Sequence, residues 1–122
     1  MTESPMDLNK LTLKSQEALA GAQQLAASGN HQQVEPAHAL AALLGDPEGI
    51  VYPLLQKLGA SPRTLRNRVD EALERVPKVY GQVETYLSPA LRATLERAFA
   101  EADGLGDAYV STEHLLLALI DG

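Results

Sequence analysis

Three histidines, His31, His38 and His114, are the side chains of this chain best suited to move a proton or hold a metal near neutral pH. They do not fall at metal-ligand spacing. His31 lies in a turn, and His38 and His114 sit in matching contexts, each followed by a run of apolar residues. A matched pair points to a shared structural job, a hydrogen bond to nearby backbone or to the adjoining helix, ahead of a ligand or switch role. There is no cysteine, which removes thiol nucleophiles, thiolate metal sites and a disulfide framework. No Gly-x-x-x-x-Gly-Lys-[Ser/Thr] loop is present to cradle phosphates. The residues therefore predict a chain with no catalytic centre, no cofactor and no metal of its own.

The matching contexts extend well beyond the histidines. A shift of 76 positions, from 34 to 110, carries Val34 onto Val110, His38 onto His114, Leu40 onto Leu116, Ala42 onto Ala118 and Leu43 onto Leu119. The same shift carries Leu11 onto Leu87, Leu19 onto Leu95, Ala22 onto Ala98 and Ala26 onto Ala102, and it pairs Thr12 with Ser88 and Leu44 with Ile120. No gap is needed. A long internal repeat is the mark of a duplicated supersecondary unit.

Each unit reads as helices joined by short turns. Met1 to Pro5 is polar and expected to fray. Thr12 is a good N-cap, and Leu11, Ala18, Leu19, Ala22, Leu25 and Ala26 recur at helical spacing until Gly29 and Asn30. Pro36 suits the first turn of a second helix, apolar on nearly all sides through Leu44 and hence central and buried. Gly45-Asp46-Pro47 breaks it. Val51 to Leu58 predicts a short third helix ended by Gly59, and Ser61-Pro62 opens a fourth whose stripe is Leu65, Val69, Ala72, Leu73 and Val76. Pro77 to Tyr86 has no helical period and reads as the connection. Ser88-Pro89 starts the second copy, with a stripe of Leu91, Leu95, Ala98, Phe99 and Ala102, and Ser111 caps a helix over 112–120. The predicted fold is all-α: two pseudo-repeats of a four-helix unit in one domain, repeat one over 7–76, a linker over 77–86 and an incomplete repeat two over 87–122. Positions 47–76 have no second copy, so the helix from 112 is expected to lack partners on faces that it would bury, as in an excerpt of a longer polypeptide.

Composition excludes several function classes. Apolar residues make up 45% and aromatics 4%, which predicts an aliphatic, helix-favouring core. The net charge of −6 and the lack of a basic patch argue against nucleic acid and against anionic membrane surfaces. No signal-like N-terminus and no apolar run near the length of a membrane span are visible, so a cytoplasmic chain is the expectation.

Four passages carry a resemblance to a known family: Asp7-Leu8-Asn9-Lys10-Leu11-Thr12, Glu35-Pro36-Ala37-His38, Tyr86-Leu87-Ser88-Pro89, and the long run from Gly106 to Leu119. Together they resemble the N-terminal domain of the Clp/Hsp100 AAA+ chaperones, from about residue 7 onward. The opening and Glu35-Pro36-Ala37-His38 are most similar to the ClpB, or disaggregase, branch. The ClpC branch usually carries Gly-Thr-Glu-His in both repeats, and here Ala37 stands in place of the first Glu. The resemblance implies a pseudo-twofold bundle of eight helices, tethered above a homohexameric ring whose other domains use ATP and magnesium. It also implies weak binding of unfolded or aggregated client polypeptides, cooperation of the parent with an Hsp70-type chaperone system, and transfer of clients to the ring. A rival reading is a docking module for adaptors or degradation tags, as in protease-associated ClpC or ClpA. A third is a domain that only orders the ring.

The resemblance also marks Thr12, Asp107 and Glu113 as polar positions associated with substrate handling. Each has a plainer reading: Thr12 as an N-cap, Asp107 as a turn residue after Gly106, Glu113 as an acidic group at a helix N-terminus. A client groove also needs exposed apolar side chains. Leu8, Leu13 and Leu95 are the candidates, Leu13 because it falls beside the N-cap and off the main stripe. Leu95 lies on that stripe, where a core role competes. Tyr80 and Tyr86 flank the connection, as an apolar rim or as local packing.

Overall fold

Thr12 leaves an extended segment (φ −64°, ψ 162°) and its side chain takes the N–H of Ser15, which starts α1 (Leu13–Ser28). Ser61 and Ser88 do the same for α4 (Pro62–Glu74) and α5 (Pro89–Gly104), each with proline in the first turn. Between them lie α2 (Pro36–Leu44) and α3 (Val51–Lys57), and α6 (Thr112–Asp121) follows α5. A single 3-10 turn over Leu8–Lys10 precedes α1. The computed structural model describes residues 8–46, 49–81 and 84–121, without the side chains of Leu8 and Asp121. The expected fraying of Met1 to Pro5 and the breaker residue Pro47 lie outside the described residues. The fold is all-α, and the helices begin and end within a residue or two of their sequence signals.

The two repeats stop their first helix in the same way. After α1, Asn30 adopts a left-handed conformation (φ 62°), and His31 N–H reaches back to the Ala26 carbonyl at 2.8 Å. After α5, Gly106 takes that place (φ 77°), and Asp107 N–H reaches Ala102 at 2.8 Å. This closure satisfies carbonyls that the helix end would leave bare.

Two short extended contacts were not legible in the sequence. β1 (Gln33–Val34) pairs in parallel with β2 (Tyr86–Leu87), setting Val34 opposite Leu87. Leu11 pairs in parallel with Val110. Under the shift of 76 these are the same contact made twice, with the partners exchanged. The segment before α1 pairs with the segment before α6, and the segment before α5 pairs with the one before α2. Each repeat therefore completes the other. The hydrogen bonds match as well: Thr12 N–H to Val110 O at 3.1 Å, and Ser88 N–H to Val34 O at 3.0 Å.

The core lies among α1, α2, α5 and α6 and is built from Leu, Ala and Val, with Phe99 as its aromatic member. α4 covers the outer side of α2 and buries Val69 there. The matching side of α6 is open. Ala41 and Leu44 of α2 are 6% and 3% exposed, whereas their counterparts Leu117 and Ile120 are 39% and 45% exposed.

Candidate functional site

The pairing of Leu11 with Val110 sets the N-termini of α1 and α6 side by side. Ser15 locks the junction. It is fully buried, its hydroxyl donates to Val110 O at 2.9 Å, and it accepts a bond from Thr12 Oγ1 at 3.0 Å. Thr12 thus caps its helix and fixes the neighbouring strand-like segment in one network. On the α6 side, Ser111 Oγ accepts from the N–H of His114 at 3.4 Å.

A groove of about 430 Å³ opens beside this junction. Its apolar wall comes from Ala18 of α1, Ala42 and Leu43 at the end of α2, and Ile50 and Val51 at the start of α3. Thr112 closes it at the α6 end. Lys14 and Asp46 span its rim as an ion pair at 3.5 Å. Both partners are well exposed, so the pair adds little to stability and can be displaced by a ligand.

The expected site residues fall into three groups. Thr12, Leu13 and Glu113 sit around the paired helix ends. Leu13 is 76% exposed, beside the Lys14 rim, and Glu113 is exposed on the first turn of α6. Asp107 lies apart from them. It lines a separate hollow of about 320 Å³ with Lys10, Phe99 and Val110, and bonds to His114. Leu95 requires a correction. At 1% exposure it packs in the core with Leu91, Leu115 and Leu43, because the apolar stripe of α5 faces inward. The side chain of Leu8 is outside the described residues. Tyr80 and Tyr86 are exposed, on the connection and on β2. Sequence reasoning missed Lys14, Ile50 and Thr112 as groove residues. Ile50 had a signal: a large apolar side chain just after a Gly-Asp-Pro breaker and outside any helical stripe.

His38 and His114 act as caps. Glu35 N–H donates to His38 Nδ1 at 2.8 Å, and Ser111 N–H donates to His114 Nδ1 at 2.9 Å. In each ring the proton of the neutral form is thereby placed on Nε2. His114 Nε2–H points to Asp107 Oδ2 at 3.0 Å. His38 Nε2–H points to His31 Nδ1 at 2.8 Å, inside the protein. Burial, and next the neighbouring His31, push the His38 imidazole below its usual value, with Glu35 opposing. The sequence Ser111–His114–Asp107 has the order of a nucleophile, base and carboxylate. Here, however, the ring nitrogen facing the hydroxyl already takes a backbone N–H, and the hydroxyl faces the helix end. That is a capping arrangement. Among the described residues no three His, Cys, Asp or Glu side chains gather to hold a metal ion, and no helix is long and apolar enough to cross a membrane.

Known proteins share this frame. The chaperone protein ClpB of Bacillus cereus is 39% identical over 117 residues, covering 93% of this chain and 14% of the relative. The chain therefore spans about one-seventh of the length of such relatives. Among solved structures, the N-terminal domain of the ClpV1 ATPase from E. coli superposes with a TM-score of 0.83 at 26% identity, covering 94% of this chain and 70% of that one. A ClpV N-domain solved in complex with a VipB peptide superposes with a TM-score of 0.74 at 24% identity, over 97% of this chain and 74% of that one. Residues 10–122 match the family described as the Clp repeat (R) N-terminal domain. With its duplicated helical unit and ClpB-like sequence, the chain belongs to the Clp repeat N-terminal domain family, as an N-domain of the Clp/Hsp100 chaperones.

Proposed function

We propose that this chain is the substrate-recognition domain of a ClpB-type disaggregase. It captures exposed apolar segments of unfolded or aggregated polypeptides weakly and passes them to a homohexameric ATPase ring. The observation that carries this reading is a highly exposed Leu13 next in the chain to Lys14, which lines a groove walled by Ala18, Ala42, Leu43, Ile50 and Val51. A contact of that size and mixed polarity suits loose, reversible capture. A disordered client also loses conformational entropy on binding, which keeps affinity low. Thr12 and Glu113 stand at the paired helix ends and Asp107 belongs to a separate hollow, so a client would have to extend beyond the groove to touch all three. ATP and magnesium would act in other domains of the parent, and an Hsp70-type chaperone system would be its partner in the cytoplasm.

A second reading is docking of one defined adaptor peptide, favoured by the complex of the related ClpV N-domain with a VipB peptide. A backbone amide NMR titration with a permanently unfolded client separates the two. Shifts at Leu13, Lys14, Ile50 and Thr112, produced by unrelated unfolded clients, support client capture. No shifts at high client concentration would overturn it. Shifts at the same residues with only a single sequence would favour the docking reading.

A further inference from the structure

The bond between His31 and His38 has no use in the reading above. His31 stands at the end of α1 and His38 in the first turn of α2, and the residues between them contain β1. The pair therefore closes a loop that holds the strand in place. Around it run the bonds of that strand to the second repeat: Tyr86 N–H to Gln32 O at 3.0 Å, and Ser88 N–H to Val34 O at 3.0 Å. His31 also bridges to Lys78 in the connection, next to a 2.7 Å bond from Val79 N–H to Asn30 O.

The proton positions in this pair are fixed by geometry. A backbone N–H always donates, so His38 Nδ1 accepts from Glu35 and the ring's proton is on Nε2. That proton is aimed at His31 Nδ1, which must then be bare. A proton added to His38 would lie on Nδ1, against the Glu35 N–H. A proton added to His31 Nδ1 would face the Nε2–H of His38. Neither ring can become charged without breaking a bond, and both are buried. The ionisable neighbours are few. Glu35 belongs to the cap of α2, and Lys78 comes from the segment after α4. Among the described residues no ion pair from α3, α4, α5 or α6 reaches either ring.

We propose that the His31–His38 contact is an acid-sensitive latch which, when either ring takes up a proton, releases the β1 segment from β2 and the connection. The sign follows from linkage. The unfolded or opened segment binds protons at the ordinary imidazole value of about 6.5, whereas in the closed segment burial, and next the neighbouring His31, hold the His38 ring below it. Stability of the latch is thus present above that value and is lost as pH falls below it. The other junction has no such pair. There the equivalent of His31 is Asp107, whose carboxylate accepts the Nε2–H of His114, so that no second imidazole faces the ring.

Amide hydrogen exchange of the 122-residue chain, read by NMR at about pH 7.5 and about pH 5.5 on either side of the imidazole value, tests this. After correction for intrinsic rates, the N–H groups of Val79, Tyr86 and Ser88 should lose up to about tenfold in protection per pH unit for each proton taken up. Those of Thr12 and Val110, in the other junction, should hold. His31→Asp copies the second junction onto an equivalent backbone site and should abolish the loss. Asp107→His should transfer a loss to Thr12 and Val110. Unchanged protection in the wild type would overturn the proposal, as would an equal loss in His31→Asp. Should that variant fail to fold, the double variant His31→Gln, His38→Gln, which keeps hydrogen-bonding amides at both positions without a titrating ring, decides: persistence of the loss in it refutes the latch.

Discussion

At the end of α1 an imidazole meets an imidazole inside the protein, and at the end of α5 a carboxylate meets an imidazole near the surface. The backbone around them is the same. Both helices close on a left-handed residue, both following N–H groups reach back 2.8 Å, and both partner histidines accept a backbone N–H through Nδ1. Duplication preserved the hydrogen-bonded frame, where any loss leaves a buried polar group unpaired. It left free the position that the frame does not need, and there the repeats diverged in charge. Burial diverged too: α2 is covered by α4, and the matching side of α6 lies open.

Substitutions at paired positions separate what the two repeats share from what they do not. The largest effect should come from the matched leucines. Leu95→Ala empties a site in the closed core and should cost about 2–5 kcal/mol. Leu19→Ala, at a partly buried site, should cost less than half as much in urea denaturation. Equal costs would mean that the two halves of the core are packed alike. Next is Ser15, which holds only one of the two crossed contacts. Ser15→Ala should cost about 1–3 kcal/mol and speed amide exchange at Val110 while leaving Ser88 protected. The caps come third. Ser88→Ala and Thr12→Ala should each lower stability by about 1 kcal/mol, with Ser88 the more costly because it is more buried. The smallest effect on stability is expected for Glu113→Gln. It should leave the melting temperature unchanged and weaken the client-induced shifts at Thr112. A drop in melting temperature instead would assign Glu113 to its helix.

Helices were legible because their ends are written in local chemistry. Thr12, Ser61 and Ser88 cap, Pro36, Pro62 and Pro89 follow caps, and Asn30, Gly59 and Gly106 take positive φ. The exposure of Leu13 was legible for the same reason, since it falls off the stripe of α1. The strand pairs were not, because two residues carry no alternation to read. Leu95 could have been placed from its stripe, which marks it as core. The histidine pair left a subtler trace. The shift that aligns the repeats also sets His31 on Asp107, so the two partners of the capping histidines occupy one position. Neither composition nor helical spacing reports that the rings touch.

A contact in which segment a of one half meets segment b of the other, and b meets a, is the self-complementary interface of a twofold dimer. The domain is such a dimer written on one string, with the residues between α4 and β2 as the thread. Neither half holds a complete set of its own edges. The halves must therefore fold together, and a cut in the thread would leave two fragments that still fit each other.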